Sequence, residues 1–299
     1  MRHCRTGAYL RSRLSRGGIR KTFRQTHGEK GMTNYQSPIT NHQSDKDFLF
    51  LHIRDLPYFR GFLRAIESRY YQDFDLPAPI LDVGCGDGNF AALTFDRQID
   101  VGIDPWHDPI HEAKQYNKYH LLVESDGGRA PFPDNYFSSA FSNSVLEHIP
   151  HVQQVLKDVA RTLKPGAPFY FCVPNPRYLS ELSLSRVFGN GYTEWFRKMS
   201  RVEHAVEPET WRGWLESAGF TLERWWHYFS PEAMRVLEWG HYFGAPTLLP
   251  HKLFNRWIIS PTRWNLYLIE RFLRKYVESP EHPQGTFTFY IARKLITEN

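Results

Sequence analysis

The chain has 299 residues, enough for one large domain or two small ones. A composition of 41% hydrophobic, 16% aromatic and 23% charged residues excludes disorder throughout, and no run approaches the roughly 18 consecutive apolar residues that cross a bilayer. The formal charge of +5 is concentrated at one end: residues 1–31 carry +8 and the rest −3, so the body is not a basic surface that would embrace nucleic acid.

Residues 1–44 read as a disordered basic tail, in which nine Lys/Arg up to Gly31 face Glu29 alone. It lacks the clean amphipathic period of a transit peptide and the apolar core of a secretory signal. Met32 opens ordinary composition and is an alternative start. Over 45–78 the pattern turns helical, with Phe48, Leu51, Leu56, Phe59, Phe62, Leu63, Ile66 and Tyr70 recurring near a 3.6 period broken by Pro57. These are lead-in helices. Pro77 and Pro79 stop them, and Ile80, Leu81 and Val83 run straight into glycines, the signature of a buried strand ending in a tight turn.

Strand signals follow at 100–104, 119–124, 138–143 and 169–173, with a helix over 151–163 closed by Lys164, Pro165 and Gly166. Such alternation predicts a parallel sheet covered by helices on both faces. A helix over 208–217, ended by Gly219, leads to a strand at 220–228, and a last strand at 286–294 lies far downstream. Cys4, Cys85 and Cys172 are odd in number and widely spaced, which points to a reducing, cytoplasmic setting without disulfides or zinc.

The sharpest motif is DVGCGDG, Asp82 to Gly88, at the end of the first strand. Glycines there let the backbone approach a nucleotide-like ligand and aim N–H groups from a helix N-terminus. A dinucleotide fingerprint would place its third glycine at Asn89, yet the glycine falls one earlier, at Gly88. Asp82 would repel a pyrophosphate and accept from an ammonium, so a cationic cofactor fits better. Asp104 closes the second strand 22 residues after Asp82, where a carboxylate accepts both ribose hydroxyls, and Asp126 and Gly127 follow the third strand where an adenine edge is read.

Taken together these residues resemble a class I S-adenosylmethionine-dependent methyltransferase of the type 11 group. DVGCGDG is similar to that family's first motif, GIDPW to its second, and ESDGGRAPFPDNYFSSAFSNSVLEHI to its adenine loop and fourth strand. ARTLKPGAPFYFCVP resembles the fifth strand with its approach, and WLESAGF the helix before strand six. The resemblance covers residues 76–228 and the final strand. It implies a Rossmann-like α/β fold with a seven-stranded, mostly parallel sheet whose last strand is antiparallel, helices on both faces, and S-adenosyl-L-methionine as cofactor. The methyltransferase domain would then be 79–228 with 286–296. By the same resemblance Gly84 and Gly86 face the methionine part, Asp104 the ribose, Asp126 and Gly127 the adenine, and Asn143 or Ser144 the sulfonium. With Asp82, Cys85, Gly88 and Pro105 these make up the expected cofactor-binding set.

Methyl transfer is an in-line displacement at an activated carbon, so the protein has mainly to align the acceptor and remove its proton. Ser142, Asn143 and Ser144 replace the Pro-Pro-aromatic signature used on exocyclic base amines, and no Asp at that strand end has a partner to hold magnesium. The expectation is metal-free transfer, at oxygen or carbon, to a small or lipid-like acceptor. His148, in VLEHIP beside Glu147, is the candidate base, since an unperturbed pKa near 6.5 suits the task; it also reads as a helix-start His packed on its own loop. His204, in RVEHAV, is a second candidate. A catalytically silent partner subunit and an RNA-modifying enzyme using the tail stand as alternatives. Oligomeric state is not legible.

Two insertions are expected to hold acceptor identity. Residues 175–206, with Tyr178, Phe188, Tyr192, Trp195, Phe196 and Arg197, would cover the methyl end. Residues 229–285 form an aromatic-rich helical insertion between strands six and seven, expected to leave and return beside the mouth of the crevice. Ser260 as cap and Pro261 at the first position would start a helix with the stripe Leu266, Ile269, Leu273 and Tyr276. The stripe has three readings: packing on the domain, a substrate lid or dimer surface, and peripheral contact with a membrane, the last helped by Arg271, Arg274 and Lys275.

Overall fold

The computed structural model describes residues 46–254 and 256–296; the basic tail 1–44, with Cys4 and the alternative start at Met32, lies outside them. Asp47 caps α1 (Phe48–Asp55), its carboxylate accepting from the Phe50 N–H at 3.3 Å. Pro57 then separates α1 from α2 (Tyr58–Tyr71). Strands and helices alternate from there: β1 (Ile80–Val83), α3 (Asn89–Thr94), β2 (Ile99–Asp104), α4 (His107–Ala113), β3 (Tyr119–Glu124), β4 (Ser139–Asn143), α5 (Val152–Thr162) and β5 (Pro168–Pro174). Next come α6 (Arg177–Ser180), α7 (Ser185–Met199), α8 (Pro208–Ser217), β6 (Phe220–Tyr228), α9 (Pro231–Gly244), α10 (Leu248–Phe254), α11 (Arg263–Glu278) and β7 (Phe287–Lys294).

The seven strands form one sheet in the order β3-β2-β1-β4-β5-β7-β6. The first five pair in parallel, with Leu81 opposite both Val101 and Ala140, while β7 runs antiparallel to β5 and β6. This is the expected Rossmann-like class. β1, β4 and β5 are buried at every residue, which is why β1 and β5 read as near-continuous apolar runs instead of alternating ones. Chain order reverses between β1 and β4, so the crevice that accepts ligands in such sheets opens at their carboxyl ends.

Each face of the sheet has its own core. On one, α5 and α8 bring Val155, Leu156, Trp211 and Leu215 onto Leu81, Phe169 and Tyr290. On the other, α1, α2, α9 and α11 gather around Phe62, which meets Phe229 at 4.9 Å and Tyr276 at 5.8 Å between ring centroids. Leu266 and Leu273 of the predicted stripe are buried there, with Ile269 and Tyr276 packed beside them, so packing on the domain is what this stripe does. The helix start is corrected: α11 begins at Arg263 with Thr262 as cap, its hydroxyl facing the Asn265 N–H at 3.4 Å. Ser260 instead uses its carbonyl to accept from the Asn265 side chain at 2.9 Å.

Candidate active site

A cavity of about 520 Å³ opens at the carboxyl ends of β1 to β4. Of the expected residues, Asp82, Gly84, Cys85, Gly86, Asp104, Pro105, Asp126, Gly127, Asn143 and His148 line it, whereas Gly88, Ser144 and His204 do not.

The glycine turn is held by the Gly84 and Cys85 N–H groups, which donate to the Ile103 carbonyl at 2.8 and 2.9 Å. Both motif glycines have left-handed backbones, φ +82° at Gly84 and +52° at Gly86, but for different ends. A Cβ on Gly84 would sit 2.3 Å from Val145 Cγ1, so this position is bare to let the loop after β4 close over the turn. A Cβ on Gly86 would meet no protein atom within 4 Å and would project into open cavity. Gly88 caps α3 and faces Ala113 of α4.

Asp104 ties the turn to the next strand. One of its carboxylate oxygens accepts from Gly86 N and the other from Trp106 N, both at 3.0 Å. Burial raises its carboxyl above the ordinary range, and the two backbone donors pull the other way. Lone pairs remain on both oxygens for a diol. Asp82 is buried in β1 and accepts from the Tyr119 hydroxyl at 2.6 Å; burial pushes its carboxyl up to about 7. The Cys85 thiol is pushed well above its usual value, again by burial, which leaves it an inert wall residue. Asp126 shapes the turn after β3 by accepting from Gly128 N at 2.9 Å.

At the β4 end Asn143 is clamped. Its amide oxygen accepts from Arg64 at 2.8 Å, and its amide nitrogen donates to the buried carboxylate of Glu67 at 2.7 Å. Ser144, with φ +50°, turns its hydroxyl inward to the same Glu67 at 2.8 Å. His148 lies half-exposed on the lining with Nδ1 2.8 Å from the Arg201 carbonyl. That carbonyl only accepts, so Nδ1 carries a proton, and in the neutral ring the lone pair is on Nε2. Glu147 beside it is buried, one carboxylate oxygen 3.8 Å from His148 Nε2 and the other without a partner; burial pushes its carboxyl up to about 7. His204 is a strut. Its ring lies 3.0 Å from the Ile149 carbonyl and edge-on to Trp214, and its backbone N–H donates to the Glu147 carbonyl, bracing the loop that carries His148.

Sequence reasoning missed Arg60 and Arg64, which line the cavity from α2. The signal was present: two arginines four apart, hence on one helical face, among the apolar residues of a helix that buries Phe62 and Ile66. Trp106, 65% exposed at the mouth, was legible only as part of GIDPW. No described residue of 175–206 or 229–285 lines this cavity. Residues 201–204 instead hold the loop of Glu147 and His148 from outside the lining, while α9 packs on α2 and α11 on α1 and α2. Residues of 251–261 line a second cavity of about 410 Å³ that shares Asp87 and Glu112 with the first.

A family model described as Methyltransferase domain matches residues 81–171, the stretch from β1 through most of β5 that builds this site. The chain carries a class I S-adenosylmethionine-dependent methyltransferase domain. Among curated relatives of this methyltransferase domain, Sterol methyltransferase-like 1 of Botryococcus braunii is 28% identical over 64% of the chain and 49% of its own length. Fatty-acid O-methyltransferase of Mycolicibacterium smegmatis is 26% identical over 47% of the chain and 59% of its own. The chain thus spans about half the length of the curated relatives it matches. A solved structure titled as the [4+2]-cyclase SpnF shares the fold at a TM-score of 0.50 and 17% identity, over 81% of this chain and 84% of that one.

The domain's cofactor is S-adenosyl-L-methionine, and the residues present fit it. The cradle at Gly86 is open where a side chain would intrude. Asp82, Asp87, Asp104 and Glu112 give the lining the acidic character that a molecule with an ammonium and a sulfonium needs.

Proposed function

We propose that the protein transfers a methyl group from S-adenosylmethionine to an oxygen or carbon of a small, lipid-like acceptor. One observation carries this reading: a single cavity joins the glycine turn and Asp104 to Asn143, Arg64 and His148, so cofactor groups and proton-handling groups share one enclosure. The sterol and fatty-acid relatives support an apolar acceptor class.

In this reading Asp104 accepts from the ribose hydroxyls, the 126–127 turn reads the adenine, and Gly86 admits the methionine portion. The bound cofactor supplies a methyl group already activated on a sulfonium. Alignment is the protein's main contribution, and such positioning is worth several kcal/mol of barrier. Arg60 and Arg64 offer paired guanidinium donors for a carboxylate, either the cofactor's own or that of an acidic acceptor. His148 Nε2 receives a proton from a hydroxyl or carbon acid; a carboxylate acceptor needs no base.

The test is calorimetry with S-adenosylmethionine and S-adenosylhomocysteine, followed by incubation with methyl-labelled cofactor and panels of fatty acids and sterols. Cofactor binding with label in a lipid-soluble product is expected. Binding without transfer to any acceptor would favour the silent-subunit alternative, and no binding at all would overturn the reading.

A further inference from the structure

We propose that the outer face of α7, α9 and α10 docks on an anionic lipid membrane. Phe188 and Trp195 of α7 and Trp239, Tyr242 and Phe243 of α9 are all exposed, Phe188 at 66% and Phe243 at 69%. They form one surface: with Tyr192, successive ring centroids lie 5.8 to 6.4 Å apart from Phe188 through Trp195 and Tyr242 to Trp239 and Phe243.

The polar atoms of Tyr192, Tyr242 and Trp239 are engaged within the protein. Glu238, fully buried beneath them, accepts from the Tyr192 hydroxyl at 2.8 Å and from Ser183 N and Oγ at 2.6 and 2.7 Å. Tyr192 and Tyr242 meet hydroxyl to hydroxyl at 2.8 Å, and the Trp239 indole N–H donates to Ser183 Oγ at 3.0 Å. What remains outside is hydrocarbon that water does not reward. α10 extends the same character: it buries none of its residues, although four of its seven are Leu or Phe, with Leu249 at 64%. Patches of this size mark an interaction surface, and Trp and Tyr are the residues that settle at a membrane–water boundary.

Charge selects the occupant. α7, α9 and α10 together carry five Lys/Arg against three Glu, one of which, Glu238, is buried. The rest of the chain from Thr33 onward has a net charge of −5. The exposed aromatics therefore sit on the basic part of an otherwise acidic body, the combination that binds anionic headgroups while rings enter the acyl boundary. A two-fold contact between copies would set like charge on like.

Vesicle binding of the full chain without cofactor tests this independently of methyl transfer. Phosphatidylcholine vesicles with and without phosphatidylglycerol are sedimented with the parent and with the F188S/F243S double variant, neither of whose two rings lines the cavity. Binding is expected to favour phosphatidylglycerol, to blue-shift tryptophan fluorescence, and to weaken at least tenfold in the variant at unchanged thermal stability. Equal binding by both proteins would assign it to the basic tail and overturn the proposal. So would a parent that stays in the supernatant, or a parent dimer that the double substitution converts to monomer, which would give the face to a second copy.

Discussion

Arg64 on α2 and Asn143 at the end of β4 are joined by a 2.8 Å hydrogen bond across 79 residues of sequence. Through it the helix preceding the sheet becomes part of the wall of the site. Glu67, one turn further along α2, fixes the other end of the same amide and also accepts from Ser144 and from the Tyr228 hydroxyl, the latter at 3.0 Å. Burial raises the Glu67 carboxyl, and its three donors oppose that. Glu67→Ala should strand those donors at about 1–3 kcal/mol each, seen as a lower urea midpoint together with weaker cofactor binding. A variant with parental values of both would show that the network is dispensable.

The two glycines of the turn should separate folding from binding. Gly84→Ala drives a methyl group into Val145 and should lower the melting temperature. Gly86→Ala accepts a left-handed backbone at a cost of about 1–2 kcal/mol but points its methyl into the cavity, so its larger effect should be on calorimetric affinity for S-adenosylmethionine. The reverse pattern would mean that the ligand lies elsewhere.

Asp104 makes two backbone contacts and has lone pairs to spare. Asp104→Ala should weaken cofactor binding by about 1.5–3 kcal/mol, as for hydrogen bonds to a charged group. Asp104→Asn, which keeps one acceptor, should lose less. Affinity untouched in both variants would remove Asp104 from the ribose.

Glu147 gives stability a pH dependence of definite sign. Its folded carboxyl titrates at about 7 against 4.5 when unfolded, so between those values the folded state holds a proton that the unfolded chain has released. Stability from this group is complete below 4.5 and falls as pH rises toward 7. His52, buried with its ring at 2.8 Å from the Ser68 hydroxyl, acts the other way: burial lowers it to about 3, so stability is lost as pH falls below 6.5. Glu147→Gln removes only the first effect. Relative to the parent it should gain up to about 3 kcal/mol between pH 4.5 and 7.5 in urea unfolding; a difference that does not vary with pH would exclude the buried carboxyl as its source.

Local pattern accounts for most of this architecture. The apolar runs at Ile80 and Phe169 needed no tertiary information to be recognised as strands, and Asp104 was found because a strand end and a chain distance locate it. What local pattern lacks is which distant segments meet. Arg60 and Arg64 became wall residues only because α2 lies against β4, and His204 left the site because its loop braces another. Phe188 and Phe243 read as parts of segments that hold acceptor identity, since aromatic spacing says that a helix has an apolar face and not what covers it.

The 229–285 insertion is where that limit bears most on expectation. Read from sequence, its removal should spare cofactor binding and abolish only acceptor choice. In the structure α9 rests on α2 so closely that a Cβ on Gly240 would sit 2.4 Å from Phe59 Cβ, and α11 rests on α1, where Arg263 and Arg274 both reach Asp47 at 3.0 Å. Met234, Leu237, Leu266, Leu273 and Val277 complete the core around Phe62. At about 1.5–3 kcal/mol for each such side chain, replacing 231–279 with a short Gly-containing turn should destabilise the fold by roughly 10 kcal/mol. For a domain of this size that is a fall of about 20 °C or more in melting temperature. Cofactor affinity should fall with it, because the helix that carries Arg60 and Arg64 loses its backing. A truncated protein that melts with the parent and binds S-adenosylmethionine as tightly would return the insertion to the role of an independent acceptor module.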